Sequence, residues 1–273
     1  MPPDDLAARC RDIVQIYPSE GGDVAALRGI DAEFASGSIT AVVGPSGAGK
    51  STFLRAMACL ERPAAGEVWI AGQRTAHLAT RRRRALVARA LGYVYQRPSD
   101  NLLDYLSVAE HVELAWRLRG APLDRDRFEQ FLAATTLSPL RRRRPGHLSA
   151  GEQQRLAFAM AVTGDPALVI ADEPTSELDE TGASTLVDLV VTLAENGHTF
   201  VIASHDPAVL AVADQVLAIK EGVLAAHAGA TGDLLAVVDR AGRVQLPDEA
   251  LDVLDDHRAR VAVVDSEVHL RRP

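Results

Sequence analysis

The chain has 273 residues, enough for one substantial domain with its own core and a small appendage. A formal net charge of −8 argues against broad nucleic-acid binding by phosphate neutralisation, and although 47% of residues are hydrophobic, no charge-free apolar run is long enough to span a bilayer. Met1 to Arg11 carries prolines and aspartates where a secretion signal needs an apolar stretch, so a cytosolic location is expected, with membrane association only through a partner. Cys10 and Cys59 lie far apart without metal-type spacing and read as two reduced thiols.

In chain order, Ile13–Tyr17 and Ile30–Phe34 read as short strands on either side of a Gly21-Gly22 turn. Ile39–Val43 is a compact, β-branched apolar run, followed by a glycine-rich loop and then by helical spacing over Ser51–Cys59. Glu67–Ala71 and Leu91–Tyr95 are further strands, and Val108–Leu137 is helical in pattern. Leu168–Ala171 reads as a buried strand, Thr185–Leu193 as a helix, and Thr199–Ala203 and Val216–Ile219 as strands. Strands alternating with helices predict an α/β fold built on a mainly parallel sheet covered on both faces. Beyond Gly232 the character changes. Leu234–Asp239, Arg243–Leu246, Val261–Asp265 and Val268–Leu270 read as short strands around a helix at Asp248–Leu254, a small β-rich appendage.

The loop Gly44-Pro45-Ser46-Gly47-Ala48-Gly49-Lys50-Ser51-Thr52 fits the P-loop pattern between a strand and a helix. Its glycines let backbone N–H groups turn inward around phosphates, and the helix N-terminus adds a positive dipole end. Lys50 is placed to reach the β- and γ-phosphates and the Ser51 hydroxyl to ligate Mg²⁺, so Gly44, Ser46, Gly47, Gly49, Lys50, Ser51 and Thr52 are expected to hold ATP. Lys50 and Lys220 are the only lysines; every other basic residue is arginine. That choice suits a site needing a compact ammonium on a flexible stem, where a planar guanidinium would not fit. The apolar run Leu168–Ala171 leads directly into Asp172-Glu173: the first carboxylate can hold magnesium, and the second is placed to polarise an attacking water.

Together with that loop and pair, five further elements resemble those of the ABC ATPases, in that family's order, across roughly residues 12 to 222. Leu148-Ser149-Ala150-Gly151-Glu152-Gln153-Gln154-Arg155 resembles the signature sequence, the most specific of the five, which simple P-loop proteins lack. Gln96 resembles the Q-loop glutamine, Ser176-Glu177-Leu178-Asp179 the D-loop, His205 the switch histidine, and Tyr17 the aromatic that stacks on adenine, though packing on an edge strand is the other reading of Tyr17. The resemblance implies a P-loop ABC ATPase with a RecA-like core, an antiparallel β subdomain and a helical subdomain. It implies nucleotide contacts from Tyr17, Gln96, Ser149, Gly151, Glu152 and Asp179, with Gln96 joining Ser51 and Asp172 around Mg²⁺. Catalysis would fall to Glu173, Lys50 and His205. In that family the signature faces the γ-phosphate held by the opposite subunit, so two ATP molecules are sandwiched in a dimer. Two departures stand out in the signature: Ala150 where glycine is usual and Glu152 where glutamine is common. Glu177 in the D-loop replaces a small residue or asparagine.

The finer text, Glu61-Arg62-Pro63 with Gly66-Glu67-Val68, Gly92-Tyr93-Val94-Tyr95-Gln96 and Ala171-Asp172-Glu173-Pro174-Thr175, is similar to the ATPase subunits of lipoprotein-releasing, macrolide-exporter and cell-division systems. Such subunits work with a separate membrane permease, and this chain is expected to form a homodimer beneath one, without direct nucleic-acid contact. The alternative is a soluble ABC ATPase acting on DNA or ribosomes, which the net negative charge and the single ATPase domain disfavour. The expected division is an ATPase domain at 12–230, its helical subdomain at about 97–153, and an appendage at 233–273. Residues 239–247 weakly resemble swapped-hairpin modules that dimerise by strand exchange; an ornament folded on its own domain is the other reading. The runs Arg81–Arg84 and Arg141–Arg144 are contacts for lipid or a partner, or simply solvated basic faces.

Overall fold

The computed structural model describes residues 5–19, 22–76, 78–120, 125–228, 234–236, 260–264 and 267–271, with side chains described up to residue 226. In chain order the elements are β1 (Leu6–Tyr17), β2 (Val24–Ala35), β3 (Ile39–Val43), α1 (Lys50–Met57), β4 (Ala65–Ile70), β5 (Gln73–Arg74), α2 (Thr80–Ala90) and β6 (Leu91–Val94). Then come α3 (Val108–Leu118), α4 (Arg125–Ala134), α5 (Ala150–Val162), β7 (Leu168–Asp172), α6 (Glu180–Glu195), β8 (Phe200–Ala203), α7 (Pro207–Ala211) and β9 (Gln215–Lys220). The chain ends with β10 (Val223–Ala228), β11 (Leu234–Ala236), β12 (Arg260–Val264) and β13 (Glu267–Arg271).

The main sheet runs β11-β10-β9-β3-β8-β7-β6. The five strands from β9 to β6 are parallel, and β10 and β11 extend the edge in antiparallel fashion. Every residue of β7 and β8 is buried, as expected of parallel strands covered on both faces. The period of two sorts their side chains. Leu168, Ile170, Val201 and Ala203 join one core with Phe53, Leu54 and Met57 of α1. Val169, Ala171, Phe200 and Ile202 join a second core with Phe158 of α5 and Leu186, Leu189 and Val190 of α6.

A second, antiparallel sheet, β2-β1-β4-β5, closes over α1. Leu27, Ile30 and Phe34 of β2 point inward and share the α1 core. The third core is helical: Val108, Val112 and Trp116 of α3 pack with Phe128 and Leu132 of α4 and Leu156 and Ala159 of α5. Gly92 fixes how α5 meets β6, because a Cβ there would lie 2.3 Å from the Ala161 carbonyl oxygen. These three parts realise the expected fold class.

The element boundaries differ from expectation in informative ways. The single helical pattern over Val108–Leu137 is two helices, α3 and α4. Helix α2, built over the first arginine run, has no apolar periodicity to announce it: only Ala90 is buried, with Leu86 and Val87 partly covered. Arginine's good intrinsic helix propensity and the packing of its last turns on β6 decide it. Strand β1 starts at Leu6 rather than Ile13, passing a register irregularity between Cys10 and Ile13 where Asp12 takes φ 53°. Strand β10, not anticipated, reverses beside β9.

In the tail, the expected strands near 234, 261 and 268 are present, β12 and β13 forming their own two-stranded hairpin. The expected strand at 243–246, the helix at 248–254 and the hairpin-like segment 239–247 lie outside the described residues. Among the described residues no helix is long and apolar enough to cross a membrane.

Candidate active site

Four parallel strands deliver the motifs to one edge of the main sheet. β3 ends at Val43 and enters the P-loop; β7 ends at Asp172; β8 leads through Ser204 to His205; β6 leads through Tyr95 to Gln96. All four segments leave the carboxyl ends of their strands, where open parallel sheets bind ligands.

The P-loop is held by backbone contacts that only glycine allows. Gly49, immediately before α1, has φ 105°, and a Cβ would lie 2.6 Å from the Ala26 carbonyl oxygen of β2. The strand thus presses against the loop and turns the chain so that Lys50 opens the helix. The Lys50 ammonium donates to the Gly44 carbonyl at 2.8 Å and stands 3.8 Å from a Glu173 carboxylate oxygen. Both side chains are largely covered, at 14% and 15% exposure, so the pair is screened far less than a surface ion pair.

Asp172 is buried at the end of its strand. Glu173, the next residue, adopts φ 45°, a left-handed conformation unusual for a side-chain-bearing residue, and is pinned by its N–H donating to the Ala203 carbonyl at 2.8 Å. That turn aims its second carboxylate oxygen at His205 Nδ1, 3.0 Å away. The His205 ring itself is exposed at the rim. Tyr17, the last residue of β1, donates its phenol O–H to Glu61. Burial, with the Glu61 carboxylate second, pushes the Tyr17 phenol above its ordinary range.

Tyr17, Gly44, Ser46, Gly47, Gly49, Lys50, Ser51, Thr52, Gln96, Asp172, Glu173 and His205 therefore line one open cleft of about 680 Å³. Twelve positions spread over nearly two hundred residues meet there. The donor set also suits magnesium: the Ser51 hydroxyl, the Asp172 carboxylate and the Gln96 amide are hard oxygen donors, too few to cage the ion alone. Among the described residues there is no cluster of three or more His, Cys, Asp or Glu that would hold a metal without help from a ligand's own oxygens.

Ser149, Gly151, Glu152 and Asp179 do not line this cleft. Ser149 is the N-cap of α5, its hydroxyl accepting from Glu152 N–H at 3.2 Å while the Glu152 carboxylate accepts from Ser149 N–H at 2.8 Å. The glutamate that departs from the signature pattern therefore completes a capping box, a role a carboxylate performs well at a positive dipole end. Ala150, exposed on the first turn, disturbs nothing in this arrangement. Gly151 has open surroundings: a Cβ there would meet no atom nearer than 3.8 Å. Asp179 caps α6, accepting from Gly182 N–H at 2.9 Å.

Three neighbours of the cleft are not among the expected site residues. Ser176, the first residue of the D-loop text, borders it, and Glu61, in contact with Arg55, bonds Tyr17. Glu61 stands out in the sequence only as part of a local text, and its partner Tyr17 is 44 positions away, a separation no periodicity reports.

Comparison with known proteins points the same way. The ABC transporter family model matches residues 27–176. The chain is 36% identical over 227 residues to the lipoprotein-releasing system ATP-binding protein LolD of Chromohalobacter salexigens, covering 82% of this chain and 95% of that one. It is 35% identical over 221 residues to the macrolide export ATP-binding/permease protein MacB of Hyphomonas neptunium, covering 80% of this chain but 34% of that longer protein. Among solved structures, the bacterial ABC transporter cassette MJ0796, solved as a dimer, superposes with a TM-score of 0.74 at 28% identity, over 83% of this chain and 100% of the cassette. The same cassette in a post-hydrolysis state bound to ADP and Pi gives 0.74 at 27% identity, with the same coverage.

Proposed function

The chain belongs to the ABC transporter family as an ATPase subunit of the LolD and MacB type, and on that premise we propose that two copies close head-to-tail around two ATP molecules to drive a separate membrane permease. The observation that carries this reading is the division of the expected contacts. The P-loop, Gln96, Asp172, Glu173 and His205 share one cleft, while Ser149 and Gly151 open a helix that does not reach it. A helix start suits an anion, and the capping box with Glu152 leaves the Ser149 hydroxyl able to donate to a phosphate. A second copy would supply one.

Within the cleft, the P-loop N–H groups and Lys50 would hold the β- and γ-phosphates, and Tyr17 would stack on adenine. Mg²⁺ held by Ser51, Asp172 and Gln96 would neutralise phosphate charge. Glu173 would accept a proton from the attacking water as its oxygen bonds to the γ-phosphorus and the bond to the bridging oxygen of ADP breaks. The left-handed turn at Glu173 places its carboxylate between Lys50 and His205, which suits this role. His205, drawn to the same carboxylate, would swing from the rim to the developing charge on the phosphoryl oxygens.

We further propose that residues 97–153 receive the permease's cytoplasmic helix. Tyr105 and Leu118 are large apolar side chains left exposed on that segment, at 66% and 70%. The chain would then work at the cytoplasmic face of the membrane through its partner. The ATPase unit is proposed to occupy 12–230, with β1 extending it back to Leu6, and the appendage 233–273, with β11 pairing onto β10 of the main sheet. The test is a gentle detergent pull-down of the full-length Glu173→Gln chain with ATP from its native cells. A stoichiometric multi-span membrane protein is expected. Recovery of ribosomes or DNA-bound proteins without one would overturn the transporter reading.

A further inference from the structure

We propose that Glu61, braced by Arg55, is the residue that positions Tyr17 as the platform for the nucleotide base. The proposal rests on the reading that Tyr17 stacks on adenine. Tyr17 ends β1, where pairing survives on one side only: it faces Val24 of β2, whereas the pairing with β4 stops at Val14 opposite Ala65. A ring at such a strand end has freedom about two side-chain torsions unless something holds its far end. Glu61 does so. One carboxylate oxygen accepts the Tyr17 phenol O–H, and the other lies 3.4 Å from Arg55 Nη1.

Both partners belong to the same local unit. Arg55 lies on α1, the helix that Lys50 opens, and the Glu61 N–H donates to the Arg55 carbonyl at 3.3 Å. Thr52, also on α1, lines the same cleft as Tyr17. The base platform is therefore fastened to the helix whose first turn faces the phosphates. The two halves of the nucleotide site keep a fixed distance although they come from different sheets. A ring held in place before binding loses less freedom when the base arrives, which favours affinity without touching the reacting atoms.

The test measures binding of MgATP and of inorganic tripolyphosphate to the full-length chain by calorimetry, with steady-state hydrolysis beside it. Tripolyphosphate reports on the P-loop without a base. Glu61→Ala and Tyr17→Phe are expected to raise the ATP Kd by about 2- to 12-fold, the range of one aromatic stacking contact. Tripolyphosphate affinity should hold, and for Glu61→Ala the KM should rise while kcat at saturating ATP stays. Glu61→Gln keeps an acceptor oxygen and should lie close to the parent. If Tyr17→Ala weakens ATP binding but Glu61→Ala and Tyr17→Phe do not, stacking stands and the positioning role is refuted. If Tyr17→Ala leaves ATP binding unchanged, the stacking reading itself fails and the proposal falls with it. An equal loss of tripolyphosphate affinity in Glu61→Ala would make Glu61 a support of the P-loop fold and likewise overturn the proposal.

Discussion

Replacing Glu173 by glutamine separates the chemistry from the binding. The substitution keeps the side chain's size and removes its charge and basicity. Loss of a general base costs about 10²- to 10⁴-fold, equivalent to roughly 3–5 kcal/mol in the activation barrier. The geometry adds a second consequence of opposite sign. Glu173 stands 3.8 Å from the Lys50 ammonium in a largely covered site, so in the wild type its charge competes with the phosphates for that ammonium. Unit charges about 4 Å apart interact by about 1 kcal/mol in water and about 4 kcal/mol at an effective dielectric of 20. Even the lower figure corresponds to about fivefold in affinity. Phosphate release at saturating MgATP should therefore fall by two to four orders of magnitude, while the ATP Kd measured by calorimetry should tighten by about fivefold. Hydrolysis within a few-fold of the wild type would refute Glu173 as the base. Weakened ATP binding would refute the argument that its carboxylate competes for Lys50.

Two further outcomes follow from the helical part of the molecule. Ser149→Ala removes the N-cap of α5 and should cost about 1 kcal/mol in urea denaturation, while ATP binding to the monomeric chain stays unchanged because Ser149 is outside that chain's cleft. Reduced ATP affinity of the monomer would contradict the assignment of Ser149 to a partner's nucleotide. His111 is fully buried on α3, its Nε2 accepting from Leu103 N–H at 2.8 Å and its Nδ1 donating to the Ser107 carbonyl at 2.8 Å, so the ring is neutral in the folded chain. Burial lowers its pKa from the ordinary value of 6.5. The unfolded chain thus takes up a proton first as pH falls, and the contribution of neutral His111, complete above about pH 6.5, is lost progressively below it. Urea denaturation between about pH 8 and pH 5 should show a steeper stability loss in the wild type than in His111→Gln; equal slopes would remove His111 from the account.

The core and the chemical motifs are legible in the sequence for different reasons. β7 and β8 are short, almost wholly apolar runs, and burial on both faces of a parallel sheet demands such runs. The P-loop is legible because its glycines and lysine serve backbone and charge requirements that few other residues meet. Helix α2 is not, since its four consecutive arginines carry no period, and the break between α3 and α4 is hidden inside one continuous helical pattern. Glu152 reads in the sequence as a mere departure from a pattern; the capping box gives it a partner three residues away.

The sequence by itself determined which chemical groups the protein possesses and their order: a phosphate loop, a carboxylate pair after a buried strand, a glutamine, a histidine and a helix start suited to an anion. Those are properties of local spacing, and spacing is what a sequence records directly. Only the tertiary structure decided which of these groups meet. It brought Lys50, Glu173 and His205 within hydrogen-bonding or ion-pairing reach, left Ser149 and Asp179 outside the cleft, and joined Tyr17 to Glu61. The physical reason is the order of strands in the sheet. Parallel strands far apart in the chain end at one edge, and that adjacency arises from packing, which no local pattern encodes.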